Sequence, residues 1–191
     1  MDRTTELRAV RQSIENWLDD VVVKLNLCPF ARPVLRSGTL RIVISEARAS
    51  HQLQQDIRAE LQRLIQHPDT EIATTLIACP WFLDDFFEFN AFCGVAEQLI
   101  TDMALNGVMQ LAHFHPNYQF QDAGADALSN YTNRSPVPLF HLLREEHVTQ
   151  AVEQHPDTLT IPEQNIQTLE SLEPGARQRL KTLCKRHEPK T

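Results

Sequence analysis

Three histidines carry the first hint of chemistry in this chain. His113 and His115 stand two residues apart in the run VMQLAHFHP, and His141 lies in SPVPLFHLLRE. Imidazole titrates near neutrality and is a common metal ligand, so an H-x-H pair offers acid–base work or two ligands for a divalent metal. On an extended strand, residues i and i+2 leave by the same face, so His113 and His115 are expected to point together. If 138–145 is a short helix, His141, Arg144 and Glu145 lie three and four residues apart and touch. The expected catalytic set is therefore His113, His115, His141 and Glu145, with Glu145 orienting His141. A divalent metal, if one binds, would sit on His113, His115 and either His141 or Glu145.

Asn130, Asn133, Arg134 and Arg144 surround this segment. Arginines with amide neighbours at a helix start suit a carboxylate or phosphate, because the guanidinium fork matches planar anions. These four are the expected substrate-binding residues, for a small anionic molecule. Cys28 precedes Pro29-Phe30, and Cys79 precedes Pro80-Trp81. Cysteine is mostly buried and proline mostly ends elements, so the bland reading of both is structural. Cys28 is the better candidate for a reactive thiol, since it falls in a loop after a helix. Asp84, Asp85 and Glu88 read first as acids favoured by a helix dipole.

These residues need a frame. Leu7, Val10, Ile14, Trp17, Leu18, Val21, Val22 and Leu25 recur at helical spacing and predict an amphipathic helix over 5–26. LRIVIS at 40–45, EIATTLIAC at 71–79 and VMQLAHF at 108–114 read as strands. Helices are expected near 50–66 and 84–105, the second stopped by Asn106-Gly107. The fold class is then α/β: a small parallel or mostly parallel sheet of about three strands with crossover helices. An N-terminal amphipathic helix precedes it. Residues 116–136 read as a long loop, of a length that is usually functional. A helical C-terminal part covers 137–186, with helices near 138–145, 147–154, 162–172 and 175–186. One domain spans 1–191, with an α/β core over 1–115 and a disordered tail at 187–191. In such sheets ligands gather at the carboxyl ends of parallel strands, here Ser45-Glu46, Cys79-Pro80-Trp81 and His113-Phe114-His115.

Composition narrows the partners. A net charge of −7 argues against nucleic acid and acidic membranes, which demand a basic footprint. The basic residues from Arg177 to Lys190 read as a solvated helix face and frayed end. Four cysteines without CxxC spacing, no apolar leader and no apolar run of about 18 residues point to reduced thiols in a cytoplasm. There is no G-x-G-x-x-G, P-loop, G-x-S-x-G or H-E-x-x-H, and only five glycines. No nucleotide cofactor is expected.

Three segments, LNLCPFA at 25–31, HFHPNYQF at 113–120 and NRSPVPLFHLLRE at 133–145, resemble a family of uncharacterised bacterial proteins of about this length, a domain of unknown function. The resemblance spans nearly the whole chain and implies a bacterial, cytoplasmic protein. It carries no activity to transfer. The leading functional expectation is a small-molecule enzyme using histidine acid–base or metal-assisted chemistry on an anionic substrate. The alternatives are a non-catalytic module binding a small anion or peptide, and a thiol-dependent redox enzyme using Cys28.

Overall fold

The computed structural model describes residues 2–154 and 160–187. The chain opens with α1 (Arg3–Trp17), which runs directly into a π-helical stretch, Leu18–Val23. There Lys24 N–H reaches Asp19 O and Leu27 N–H reaches Val22 O, the i→i+5 pattern of a π-helix. The predicted helix over 5–26 is therefore one rod with a widened last turn. A short helix, α2 (Ala31–Ser37), occupies what reads as loop, and ends at Gly38 in the left-handed conformation that glycine tolerates.

Next come β1 (Leu40–Ile44), α3 (Ser50–Gln66), β2 (Thr74–Ala78), α4 (Phe86–Asp102) and β3 (Met109–Phe114). Asp85 caps α4 by accepting from the Phe87 and Glu88 N–H groups, the dipole role expected of this acidic cluster. The helix stops earlier than Asn106-Gly107. Ala104 turns left-handed (φ 56°) and Leu105 N–H returns to Ile100 O.

The expected helix over 138–145 is a strand, β4 (Leu139–Arg144), and this changes the sheet. Among the described residues the sheet has four strands in the order β1-β2-β4-β3. β1 and β2 pair parallel, whereas β4 pairs antiparallel with both β2 and β3. The expectation of a mostly parallel, three-stranded sheet is thus corrected: one parallel pair stands beside two antiparallel ones. The misreading has a physical cause. Leu139, Phe140 and Leu142 are all fully buried, on both faces of a central strand. A run that is apolar on both faces lacks period-two alternation, and its leucines also fit a helical spacing.

Past β4 lie α5 (Glu145–Gln154), α6 (Ile161–Glu170) and α7 (Pro174–Leu183), close to three of the expected C-terminal helices. Of the expected tail, 188–191 fall outside the described residues. Two cores flank the sheet. On one face α3 and α4 bury Leu53, Ile57, Leu61, Phe89 and Phe92 against Ile77, Phe140 and Leu142. On the other, α1, α6 and α7 bring Val10, Ile14, Trp17, Leu169 and Leu180 onto Leu76, Ala78 and Leu139. No described helix is long and apolar enough to cross a membrane.

Candidate functional site

The register of β3 and β4 decides which histidines can work together. His113 lies opposite Phe140 and Ala112 opposite His141. Directly opposed residues share a face and successive residues alternate. His141 therefore projects from the face opposite to His113.

On the α4 face, His115 is fully buried. Its Nε2–H donates to Leu83 O at 3.1 Å, and its Nδ1 accepts from Asn117 N–H at 3.0 Å. Both nitrogens are used in one neutral tautomer, and burial lowers the ring's pKa. This histidine ties the loop after β3 to the turn before α4. His113 lies 6.0 Å from both Phe89 and Tyr118, and its buried Nδ1 has no hydrogen-bond partner among the described residues. Burial again holds it below the usual histidine range. His113 and His115 do point to one side, with Phe89 against both rings.

The 130–145 residues build the end of the long loop and the central strand β4. Asn130 is fully buried; its amide accepts from Phe120 N–H at 3.0 Å and donates to Gly124 O at 2.8 Å. Asn133 accepts from Thr132 Oγ1, and its carbonyl receives His115 N–H. The Arg134 guanidinium stacks on Tyr131 and donates to Tyr118 O and Ala125 O. Arg144 Nη2 gathers Leu64 O and His67 O at the end of α3 and Ile72 O just before β2, while its buried Nε has no partner among the described residues. Asn130, Asn133 and Arg134 give the 116–136 segment its shape without strands. Glu145 begins α5, four residues from His141. Along a strand that separation is about 13 Å, so the expected i,i+4 contact does not form. His141 finds Thr74 instead.

The other sheet face holds a cavity of about 810 Å³. Its floor is the sheet and its wall includes Trp17, Leu18, Val21 and Val22 from the end of α1 and the π-helical stretch. Widened π turns are frequent at functional sites, because they redirect side chains by one position. Cys28, Tyr131, Asn133 and Asn165 border it, and most of the lining is aliphatic.

His141 stands in this floor. The Thr74 hydroxyl lies 2.7 Å from His141 Nε2 and 2.6 Å from Leu142 O. A carbonyl only accepts, so the single hydroxyl proton goes to Leu142 O, and Thr74 Oγ1 must accept from His141 Nε2–H. That fixes the tautomer: Nδ1 carries the lone pair, and it has no partner among the described residues. Burial lowers the His141 pKa to about 4. At neutral pH the cavity therefore contains a neutral ring with one open acceptor. A base this weak is poorly matched to proton abstraction near pH 7, but it serves well to accept a hydrogen bond.

Cys28 is half-buried at the cavity wall. Burial raises its pKa, and this outweighs the Phe30 and Ala31 backbone N–H groups that approach the sulfur and pull the other way. Cys79 and Cys93 are buried in the α4-side core.

Among the described residues no three His, Cys, Asp or Glu side chains are grouped to hold a metal ion, and the sheet divides His141 from His113 and His115. Residues the sequence did not single out supply much of the cavity floor: Thr74, Gln110, Ala112 and Leu143. For Thr74, Gln110 and Ala112 the sequence signal is a small or polar residue in an otherwise aliphatic strand; Leu143 carries none.

A family model described as a protein of unknown function, DUF1415, matches residues 9–179. The chain belongs to this family. No curated protein and no solved structure matches it. The DUF1415 match contains all the residues that line the cavity, from Trp17 to Ile166, so pocket and family domain coincide.

Proposed function

We propose that this DUF1415 protein binds a small, mostly apolar molecule in the cavity over the sheet, with His141 Nδ1 accepting a hydrogen bond from it. The observation that carries this reading is the unpartnered acceptor of His141 inside an aliphatic cavity of about 810 Å³. That volume is in the range of roughly 300–1,000 Å³ typical of small-molecule sites, where apolar walls supply affinity and a few polar groups fix orientation. The anionic substrate expected from Arg134 and Arg144 has weaker support, because both guanidinium groups donate to backbone carbonyls.

A catalytic reading is favoured by one observation, the Cys28 thiol bordering the same cavity. In that reading the cavity binds substrate and Cys28 acts on it. It requires turnover that Cys28→Ala abolishes while binding persists.

The binding test uses N-phenyl-1-naphthylamine, a neutral fluorophore that brightens in apolar surroundings. Saturable enhancement is expected with the native chain. Ala112→Trp, which projects an indole from the floor beside His141, is expected to abolish it while circular dichroism and the unfolding midpoint stay native-like. Absence of saturable binding by the native protein would overturn the proposal, as would equal binding by the folded Ala112→Trp protein.

A further inference from the structure

The floor of the cavity has a direction. Leu40 pairs with Thr74, Leu143 pairs with Gln110, and the Thr75–Leu142 pair sets Thr74 beside Leu143. Leu40, Thr74, Leu143 and Gln110 thus form one row across all four strands, on one face, and all four line the cavity. In the next row Leu76, His141 and Ala112 line it, and in the third only Phe114 does. The space is therefore a trough across the sheet. Three interstrand spacings make it about 14 Å long.

His141 and Gln110 stand toward the β3 end of the trough, Gln110 closing the first row on the edge strand and His141 beside it on β4, so a donor held there leaves the length of the trough toward β1 for a chain. His141 lies on the central strand β4, one row behind Leu143, with Thr74 and Gln110 diagonally to either side. Thr74 spends its proton on Leu142 O, whereas the Gln110 amide has no partner among the described residues. The charged groups along the lining do not favour a carboxylate. Arg144 Nη2 is held by three backbone carbonyls while its buried Nε has no partner among the described residues, His147 pairs with Asp69, and Asp122 adds negative charge.

Building on the binding reading above, we infer that the ligand is an extended aliphatic chain bearing an uncharged hydrogen-bond donor, an alcohol or an amide, laid across the strands. A chain fits a trough that a compact ring system would fill in only one part. The uncharged donor fits a neutral acceptor at His141 and the adjacent Gln110 amide. A carbon chain with bonds of about 1.5 Å at near-tetrahedral angles advances roughly 1.25 Å per bond, so about 14 Å takes roughly eleven bonds.

The test is displacement of bound N-phenyl-1-naphthylamine by n-alkan-1-ols of six to sixteen carbons, by dodecanoate, and by cyclododecanol, a compact ring alcohol of the same carbon number as dodecan-1-ol. Each added methylene should tighten displacement by up to about fourfold, levelling off near twelve carbons. Dodecan-1-ol should compete at least tenfold better than dodecanoate at pH 7.5 and than cyclododecanol. His141→Leu should narrow the alcohol's advantage over dodecane-like probes such as 1-chlorododecane, each displacement being referred to the fluorophore's own affinity for that variant. If the fluorophore binds but the ring or the carboxylate competes equally, or length has no effect, the chain inference fails and the cavity reading stands. If the fluorophore does not bind the native protein, the cavity reading itself has failed.

Discussion

The neutral state of His141 makes stability depend on pH in a calculable way. Its pKa is about 4 in the fold against an ordinary 6.5. The unfolded chain therefore takes up a proton at a higher pH than the native one. For a histidine held below its unfolded value, the contribution is fully present above pH 6.5 and is lost as pH falls through 6.5 toward 4. Each pH unit of that gap is worth about 1.4 kcal/mol, so roughly 2 kcal/mol is lost between pH 7.5 and 5, and about 3 kcal/mol by pH 4. His113, His115 and His187 are shifted the same way and steepen the acid limb of any variant. The difference between native and His141→Gln protein isolates the one ring. Urea unfolding at pH 7.5, 6 and 5 is the assay. At pH 7.5 the variant should be about 1 kcal/mol less stable for loss of the Thr74 bond, since Thr74 keeps its bond to Leu142 O. By pH 5 it should equal or exceed the native protein. Parallel stability curves across this range would refute the reasoning, and with it the claim that His141 is neutral and desolvated.

Three further outcomes are expected. Asn130→Ala leaves Phe120 N–H without its partner and removes one of the two donors to Gly124 O, which keeps Ala127 N–H; it should cost about 1–3 kcal/mol in urea unfolding and expose 116–136 to limited proteolysis. Arg144→Leu should cost about 2–4 kcal/mol in urea unfolding, because the carbonyls of Leu64, His67 and Ile72 lose a charged donor. Cys28, with its pKa raised by burial, should react with iodoacetamide at pH 7.5 more slowly than free cysteine, read by mass spectrometry; faster labelling would favour the thiol reading.

Much of the frame is legible in the residues. The first helix, the three β-branched strands and the helices between them follow from periodicity and from their proline and glycine stops. The histidines are also visible as residues of interest. What is not legible is their partnership. PLFHLLR satisfies a helical spacing as well as a strand, and only the slot between β2 and β3 makes it β4. With that exchange Glu145 moves out of reach of His141, and the strand pleat turns His141 away from His113. The arginines read as an anion cradle because a sequence does not tell which carbonyls lie across the fold. Arg144 meets those of Leu64, His67 and Ile72, some 70–80 positions earlier in the chain.

The sequence by itself determined an α/β chain of DUF1415 type, its main helices and three of its strands, because apolar periodicity and turn residues act locally. Only the tertiary structure decided the fourth strand and the face on which each histidine emerges. It alone placed Thr74 against His141 and opened a cavity beside a π-helical turn. Those depend on strand order and register, which join residues far apart in the chain and shift every side chain to the other face when displaced by one. His115 fastens the loop after β3 to the turn before α4, His113 keeps an unpartnered Nδ1 on that same face, and His141 presents its open acceptor to the cavity on the other side of the sheet.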